Sequence, residues 1–308
     1  MSKIVIAIGG NALGNSPSEQ KQIVKNTAKY LVDIIEEGHS LTIVHGNGPQ
    51  VGMINLGFSL ANEVNKNSPI VDFPECGSMS QGYIGYHLQN ALNFELSKRS
   101  INKNVATIIT QTVVDKNDIA FQNPSKPIGS FYKEEDAKKL ASENKWSIKE
   151  DAGRGWRRVI ASPKPIDIVE KEVIKKMMES NFVTITAGGG GIPVIKEKDE
   201  YVGVAAVIDK DFAAAKVAEI IKADKFIILT AVNKVMINYK KENQISLDEI
   251  SLLDCKKYID ENQFAPGSML PKIQAAMSFV EKTKIESYIG SLEEAKNVIH
   301  GKGGTKIF

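Results

Sequence analysis

Three lysines carry the most chemical promise in this chain. Asp209-Lys210-Asp211 sets one between two carboxylates at a predicted helix start. Gly267-Ser268-Met269-Leu270-Pro271-Lys272 offers glycine, hydroxyl, helix-start proline and a second lysine, and Lys126-Pro127-Ile128-Gly129 places a third in an irregular stretch. Taken singly, each reads more readily as part of a helix cap or as a solvated charge. Taken jointly, they suit phosphoryl transfer, which is mostly positioning and neutralisation of spreading negative charge. In that reading Lys210 binds phosphate and Asp211 orients it. The four histidines, His39, His45, His87 and His300, have no spacing that points to a triad or a metal site. Their scarcity fits an acceptor that is already an oxyanion, a carboxylate or a carbamate. A hydroxyl acceptor would need a general base.

Glycine-rich loops supply the rest of an anion site. Lys3 to Ile8 runs into Gly9-Gly10-Asn11, Leu41 to Val44 into His45-Gly46-Asn47-Gly48-Pro49, and Phe182 to Ala187 into Gly188–Gly191. Buried parallel strands read as such apolar runs, and ligands of open α/β sheets bind beyond the strands' carboxyl ends. Glycine lets backbone N–H groups approach an anion, and a helix N-terminus adds partial positive charge. Three such loops imply one site that holds several phosphate or carboxylate groups. No G-x-x-x-x-G-K-[ST] occurs, which excludes a P-loop NTPase, and no G-x-G-x-x-G opens a helix after a strand.

The elements that must position these residues alternate between apolar runs and helical periodicity, the mark of βαβ units and a mainly parallel sheet. Helices are predicted over 18–37, 50–64, 80–96, 133–144, 168–179, 211–221, 254–260 and 271–281. Strands are predicted at 105–109, 225–229, 235–238 and 285–289. Residues 115–159 lack a sheet-period signal, yet Phe121, Phe131, Tyr132, Trp146 and Trp156 favour an ordered, inserted subdomain. At 308 residues the chain can form one large α/β domain or two lobes. Apolar content of 42% and charged content of 25% are those of an ordinary globular enzyme. A net charge of +2 gives no electrostatic argument for nucleic acid, and Arg154, Arg157 and Arg158 beside Trp156 read as a hinge or substrate-side patch. No membrane segment is expected. Cys76 and Cys255, far apart in sequence, are expected as reduced thiols of a cytoplasmic protein.

Several of these segments resemble carbamate kinases, within the wider amino-acid kinase superfamily. They are Gly-Gly-Asn-Ala-Leu-Gly (9–14), His-Gly-Asn-Gly-Pro-Gln-Val-Gly (45–52), Met-Ser-Gln-Gly-Tyr-Ile-Gly-Tyr (79–86), Gln-Asn-Pro-Ser-Lys-Pro-Ile-Gly (122–129), Gly-Arg-Gly-Trp-Arg-Arg-Val (153–159), Pro-Lys-Pro-Ile-Asp-Ile-Val (163–169), Gly-Gly-Gly-Gly-Ile-Pro-Val (188–194), Val-Ile-Asp-Lys-Asp (207–211) and Phe-Ala-Pro-Gly-Ser-Met-Leu-Pro-Lys (264–272). The resemblance spans essentially the whole chain. It implies a three-layer αβα sandwich around a mainly parallel sheet with a protruding subdomain at about 115–159, and a homodimer. It also implies reversible transfer between ATP and carbamate, running toward ATP synthesis in arginine catabolism. By the same resemblance, Lys126, Lys210 and Lys272 surround the transferred phosphoryl and Asp211 organises the lysines. Carbamate or carbamoyl phosphate, with the transferred phosphoryl, lies on Gly9, Gly10, Asn11, Gly46, Asn47 and Gly48, in a lobe of residues 1–220, and the run Gly188–Gly191 lets backbone pass close to bound ligand. Nucleotide lies in a lobe of residues 221–308, near Tyr239, Ala265, Pro266, Gly267, Ser268 and Met269, with Asp209 and with Mg²⁺ held mainly through its phosphates. Asn233 stands where relatives usually carry aspartate, and Ser130 where proline is common. Two other readings stay open: another amino-acid kinase acting on acetylglutamate, aspartate or a nucleotide, and a catalytically silent sensor.

Overall fold

The first strand, β1 (Lys3–Ile8), is apolar on both faces because both faces are covered. Ile4, Ile6 and Ile8 join one buried cluster and Val5 and Ala7 another, the split that a period of two imposes on a fully enclosed strand. The structure is a computed structural model and describes all residues except Met1, Asn15, Ala152 and Arg154, and all side chains of the remainder except those of Asn11 and Ser130. The expectations placed on Arg154 and on the Asn11 and Ser130 side chains lie outside the described residues.

After β1 come α1 (Pro17–Glu36), β2 (Ser40–His45), α2 (Gly48–Val64), α3 (Phe73–Lys98), β3 (Val105–Thr107) and β4 (Gln111–Val114). The subdomain contributes β5 (Lys126–Tyr132), α4 (Glu134–Asn144), β6 (Ser147–Glu150) and β7 (Trp156–Ile160). Then follow β8 (Pro165–Ile168), α5 (Lys171–Glu179), β9 (Val183–Ile185), β10 (Ile192–Glu197), β11 (Glu200–Gly203), α6 (Lys210–Ile220) and β12 (Lys225–Thr230). The last part holds β13 (Val235–Ile237), β14 (Ile245–Leu247), β15 (Glu249–Ile250), α7 (Leu252–Asp260), α8 (Met269–Thr283), β16 (Ser287–Ser291), α9 (Ala295–Ile299) and β17 (Thr305–Ile307).

An eight-stranded sheet in the order β15-β17-β16-β12-β1-β2-β9-β3 forms the middle layer, parallel except where β16 meets β17. α1, α3 and α9 contribute to the cluster on one face, α6 and α8 to the cluster on the other, which gives three layers. β1 pairs with β12 on one side and β2 on the other, so one sheet carries strands from both sides of residue 220. α1 matches its expectation closely. Ser16 caps it by accepting from the Glu19 N–H at 3.3 Å, Pro17 opens it, and Gly38 at φ +87° follows its end.

Three local expectations needed correction. α3 starts at Phe73, well before position 80, because Asp72 accepts from the Phe73 N–H at 2.8 Å and Pro74 sits in the first turn. β4 and β8, which flank the subdomain in sequence, join β10 and β11 in a second sheet, β11-β10-β4-β8, whose strands of four to six residues are too short for a period to stand out. Residues 115–159 do contain a sheet: β5, β7 and β6 pair antiparallel. Its signal was masked by composition. β6 is mostly exposed, and the edge strand β5 carries Pro127 and Gly129 with a register shift between Ile128 and Tyr132.

Candidate active site

The glycine loops meet because their strands do. β1, β2 and β9 are adjacent and parallel, so Gly9, Gly46 and Gly188 all follow the same end of the sheet. The Gly46 N–H donates to the Ile8 carbonyl at 3.1 Å, binding the first two loops together. Gly9 leads in extended conformation into a single helical turn at Gly10–Ala12, whose Ala12 carbonyl accepts from the Thr27 hydroxyl at 2.8 Å. α2 and α8 both begin without a side-chain cap, leaving first-turn N–H groups available to an anion. A Cβ placed on Gly10, Gly48 or Gly267 would meet nothing within 4 Å, so these positions border open space.

The third loop behaves differently. Gly188–Gly191 is buried, and a Cβ there would come within 2.3 Å of His45 Nε2 at Gly188 and 2.0 Å of Asn47 Cγ at Gly189. At Gly190 it would lie 2.3 Å from the Ile208 carbonyl oxygen and at Gly191 2.1 Å from Thr112 Oγ1, with φ positive at Gly189 to Gly191. At all four positions the missing Cβ makes room for protein atoms. The run lets backbone pass beneath the second loop, so that no side chain displaces His45 or Asn47.

Asp211, 2% exposed, is the hub of the site. One carboxylate oxygen accepts from Lys210 Nζ and the other from Lys272 Nζ at 2.9 Å, joining the first turns of α6 and α8. Burial opposes the Asp211 charge, but the two ammonium groups outweigh it and hold its carboxyl down at about 2. Burial also lowers the Lys210 pKa, Lys272 adds to that, and Asp211 opposes it. Both pKa values drop although the groups are partners: burial dominates at Lys210, with Lys272 adding to it, while at Asp211 two cations outweigh burial. The cluster carries a surplus positive charge in a desolvated place, which is where an added phosphoryl oxygen would be stabilised. Lys210 also lies under the second loop: a Cβ on Gly46 would sit 3.4 Å from its Cδ.

Asp209 has two tasks within the protein. Its Oδ1 caps α6 by accepting from the Asp211 N–H at 3.0 Å, and its Oδ2 accepts from Lys126 Nζ at 2.8 Å. That second contact ties the subdomain strand β5 to the body. Asn47 is also internally engaged: it donates from Nδ2 to Ser80 Oγ at 2.8 Å.

On the Lys272 side, a cavity of about 220 Å³ is lined by Tyr239, Ala265, Ser268, Met269 and Lys272. Pro266 and Gly267 are exposed beside it. Sequence reasoning missed Met236, Gln263 and Phe264, which line the same cavity. Gln263 accepts from the Asn238 N–H at 2.8 Å, a contact of high sequence separation that no local pattern announces. It also missed His45. A carbonyl can only accept, so the 2.8 Å contact to the Gly46 oxygen makes Nδ1 the donor. Burial pushes this imidazole down to about 4; the Gly46 bond opposes and Lys210 adds to the shift. It is neutral at pH 7 and shapes the loop. Only its place in the second motif could have pointed to it.

Comparison with known proteins agrees with this geometry. The model of the amino acid kinase family matches residues 2–291. A carbamate kinase of Clostridium perfringens is 54% identical over 311 residues, covering 99% of each chain. A carbamate kinase-like protein of Escherichia coli is 54% identical, covering 99% of this chain and 98% of its own. The solved structure of Giardia lamblia carbamate kinase bound to AMP-PNP superposes with a TM-score of 0.92 at 41% identity, over 100% of this chain and 98% of that one. The chain belongs to the amino acid kinase family and, within it, to the carbamate kinases.

Proposed function

We propose that the chain catalyses reversible phosphoryl transfer between ATP and carbamate, giving ADP and carbamoyl phosphate. The observation that carries this reading is Asp211 clamped between Lys210 and Lys272, with glycine loops on one side and the cavity at Tyr239 and Met269 on the other. Nucleotide enters from the cavity of the 221–308 lobe, and Lys272, shared by cavity and cluster, meets its phosphates. Carbamate lies against Gly9, Gly10, Gly46 and Gly48 in the 1–220 lobe. Lys126 arrives from the subdomain to cover the transferred group. As the phosphoryl loosens from ADP, negative charge spreads over its equatorial oxygens and the lysines balance it. Carbamate attacks as an oxyanion, so no side chain must take a proton. The neutral His45, with its Nδ1 proton committed to Gly46, fits that economy.

Mg²⁺ supplies further charge neutralisation and comes with the nucleotide phosphates. Both Asp211 oxygens are taken by lysines, and among the described residues no group of three acidic, histidine or cysteine side chains gathers as a metal cage. A homodimer is supported by apolar side chains left uncovered on α3, Tyr86 at 58% and Phe94 at 64% exposure, on the helix that packs beside the edge strand β3. A cytoplasmic setting is supported by Cys76 and Cys255, both buried and unpaired, and no described helix is long and apolar enough to cross a membrane. The direction toward ATP synthesis in arginine breakdown rests on the resemblance alone. The deciding experiment is ATP formation from carbamoyl phosphate and ADP with Mg²⁺, beside a panel of acetylglutamate, aspartate and nucleotide acceptors. Absence of ATP formation from carbamoyl phosphate sinks the reading.

A further inference from the structure

The cavity that faces the lysines is not the largest one among the described residues. About 500 Å³ opens between α2 and the subdomain, and neither Lys126, Lys210 nor Lys272 lines it. Its walls are apolar where Leu56, Leu60, Ile70 and Leu140 face in, and Arg158 on β7 reaches it. The Arg158 guanidinium lies over two rings, 5.1 Å from the Phe73 centroid and 4.8 Å from that of Trp146. Among the described residues it makes no hydrogen bond or ion pair. The neighbouring Arg157, by contrast, is bound to Asp151 at 2.9 Å. The side chain is half-buried, and stacking on rings offsets only part of the hydration a cation gives up there, so an anionic partner would add to its stabilisation. Burial accordingly lowers the Arg158 pKa, with the more distant charge of Asp72 opposing. At the rim, Glu63 and Lys66 are exposed and of opposite sign, so they leave Arg158 to decide the charge of what enters.

We infer that this cleft is a second binding site, for a small organic anion with an apolar body. Its anionic head pairs with the Arg158 guanidinium and its body lies against Leu56, Leu60 and Leu140. The volume falls in the range of small-molecule sites, which combine apolar walls with a few placed polar groups; here Asn55, Ser59 and Asn144 line the cleft beside the leucines. The occupant would touch both α2 and the strand pair that bears Lys126, because Arg158 is the cross-strand partner of Ile128.

The test is a fluorescence titration of the full-length protein with anilinonaphthalene sulfonate, an aryl anion, with and without ATP and Mg²⁺. One saturable site is expected that ATP leaves in place, that phenylbutyrate displaces and that uncharged phenylbutanol does not. Arg158→Gln should weaken the dye by at least about tenfold, the scale of one charge-assisted hydrogen bond. Leu60, 49% exposed on α2, can be changed without opening the core, and Leu60→Glu should weaken the dye similarly by setting a carboxylate in the cleft. If Arg158→Gln fails to fold, Leu60→Glu decides. Displacement by ATP, equal displacement by phenylbutanol, no saturable binding, or unchanged affinity in a folded variant overturns the assignment.

Discussion

Two lysine–aspartate arrangements meet at this site, and they are built in opposite ways. Lys210 and Lys272 grip Asp211 inside the body, where the carboxylate is all but inaccessible and the helices that carry the lysines pack on each other. Lys126 meets Asp209 with both side chains partly solvated, and Lys126 belongs to a three-stranded sheet outside the main one. Desolvation makes the first arrangement strong and preorganised. Solvation makes the second weak, of the order of a surface pair, about 0–1 kcal/mol. In the proposed reaction the difference divides labour: the body would hold a fixed field, and the subdomain would bring a cation for a ligand to take over from Asp209.

The largest effect should come from breaking the buried hub. Asp211→Asn leaves two ammonium groups facing a neutral amide, and kcat is expected to fall by about 10³-fold or more, with a clear loss of thermal stability. A variant that melts and turns over like the parent would remove Asp211 from the mechanism. Next comes Lys210→Ala, where kcat should drop by at least ~10²-fold, the scale of removing one group that stabilises transition-state charge. An unchanged rate would show that the glycine loops suffice.

The solvated pair should respond more gently and with a different signature. Lys126→Ala is expected to cost roughly ten- to a hundredfold in kcat/KM, the scale of one charge-assisted hydrogen bond at about 1.5–3 kcal/mol. Asp209→Asn should matter less, because asparagine still caps α6 and only the grip on Lys126 is weakened. Equal reductions at Lys126 and Lys210 would erase the distinction between the two arrangements.

The smallest effect is one of pH and stability. His45 is depressed from 6.5 to about 4, so its neutral form stabilises the fold above pH 6.5, and that contribution disappears as pH falls toward 4. The full amount is roughly 3 kcal/mol. Asp211, depressed from 3.8 to about 2, loses its share in a separate window below pH 3.8. Thermal melts from pH 7 to 3 should show the upper step flatten in His45→Gln while the lower step remains. Persistence of the upper step in that variant would assign it to other groups.

The same contrast explains what could be read from sequence. The strands of the body announced themselves because burial on both faces demands unbroken apolar runs, as in Ile4 to Ile8 and Phe226 to Leu229. The motifs holding Lys210, Asp211 and Lys272 were visible because helix starts need recognisable residues. The subdomain strands were not visible: Ser147–Glu150 is nearly all polar, and a half-solvated sheet makes no demand for alternation that such a short strand can display. Nor could sequence show that Asp209 spends its oxygens on a helix cap and on Lys126, since Lys126 lies 83 residues away. The inward role of Gly188–Gly191 was hidden for the same reason, because only packing reveals what a missing Cβ makes room for.

The ladder from β12 through β1 and β2 to β9 joins early and late parts of the chain by hydrogen bonds that no local fluctuation can release one strand at a time. In hydrogen–deuterium exchange, amides of β1 and β12 should therefore report only global opening, while those of β6 and α4 exchange through local fraying. The catalytic floor would then be as long-lived as the folded state itself, and the traffic of substrates would be timed by the part of the molecule that unfolds most cheaply.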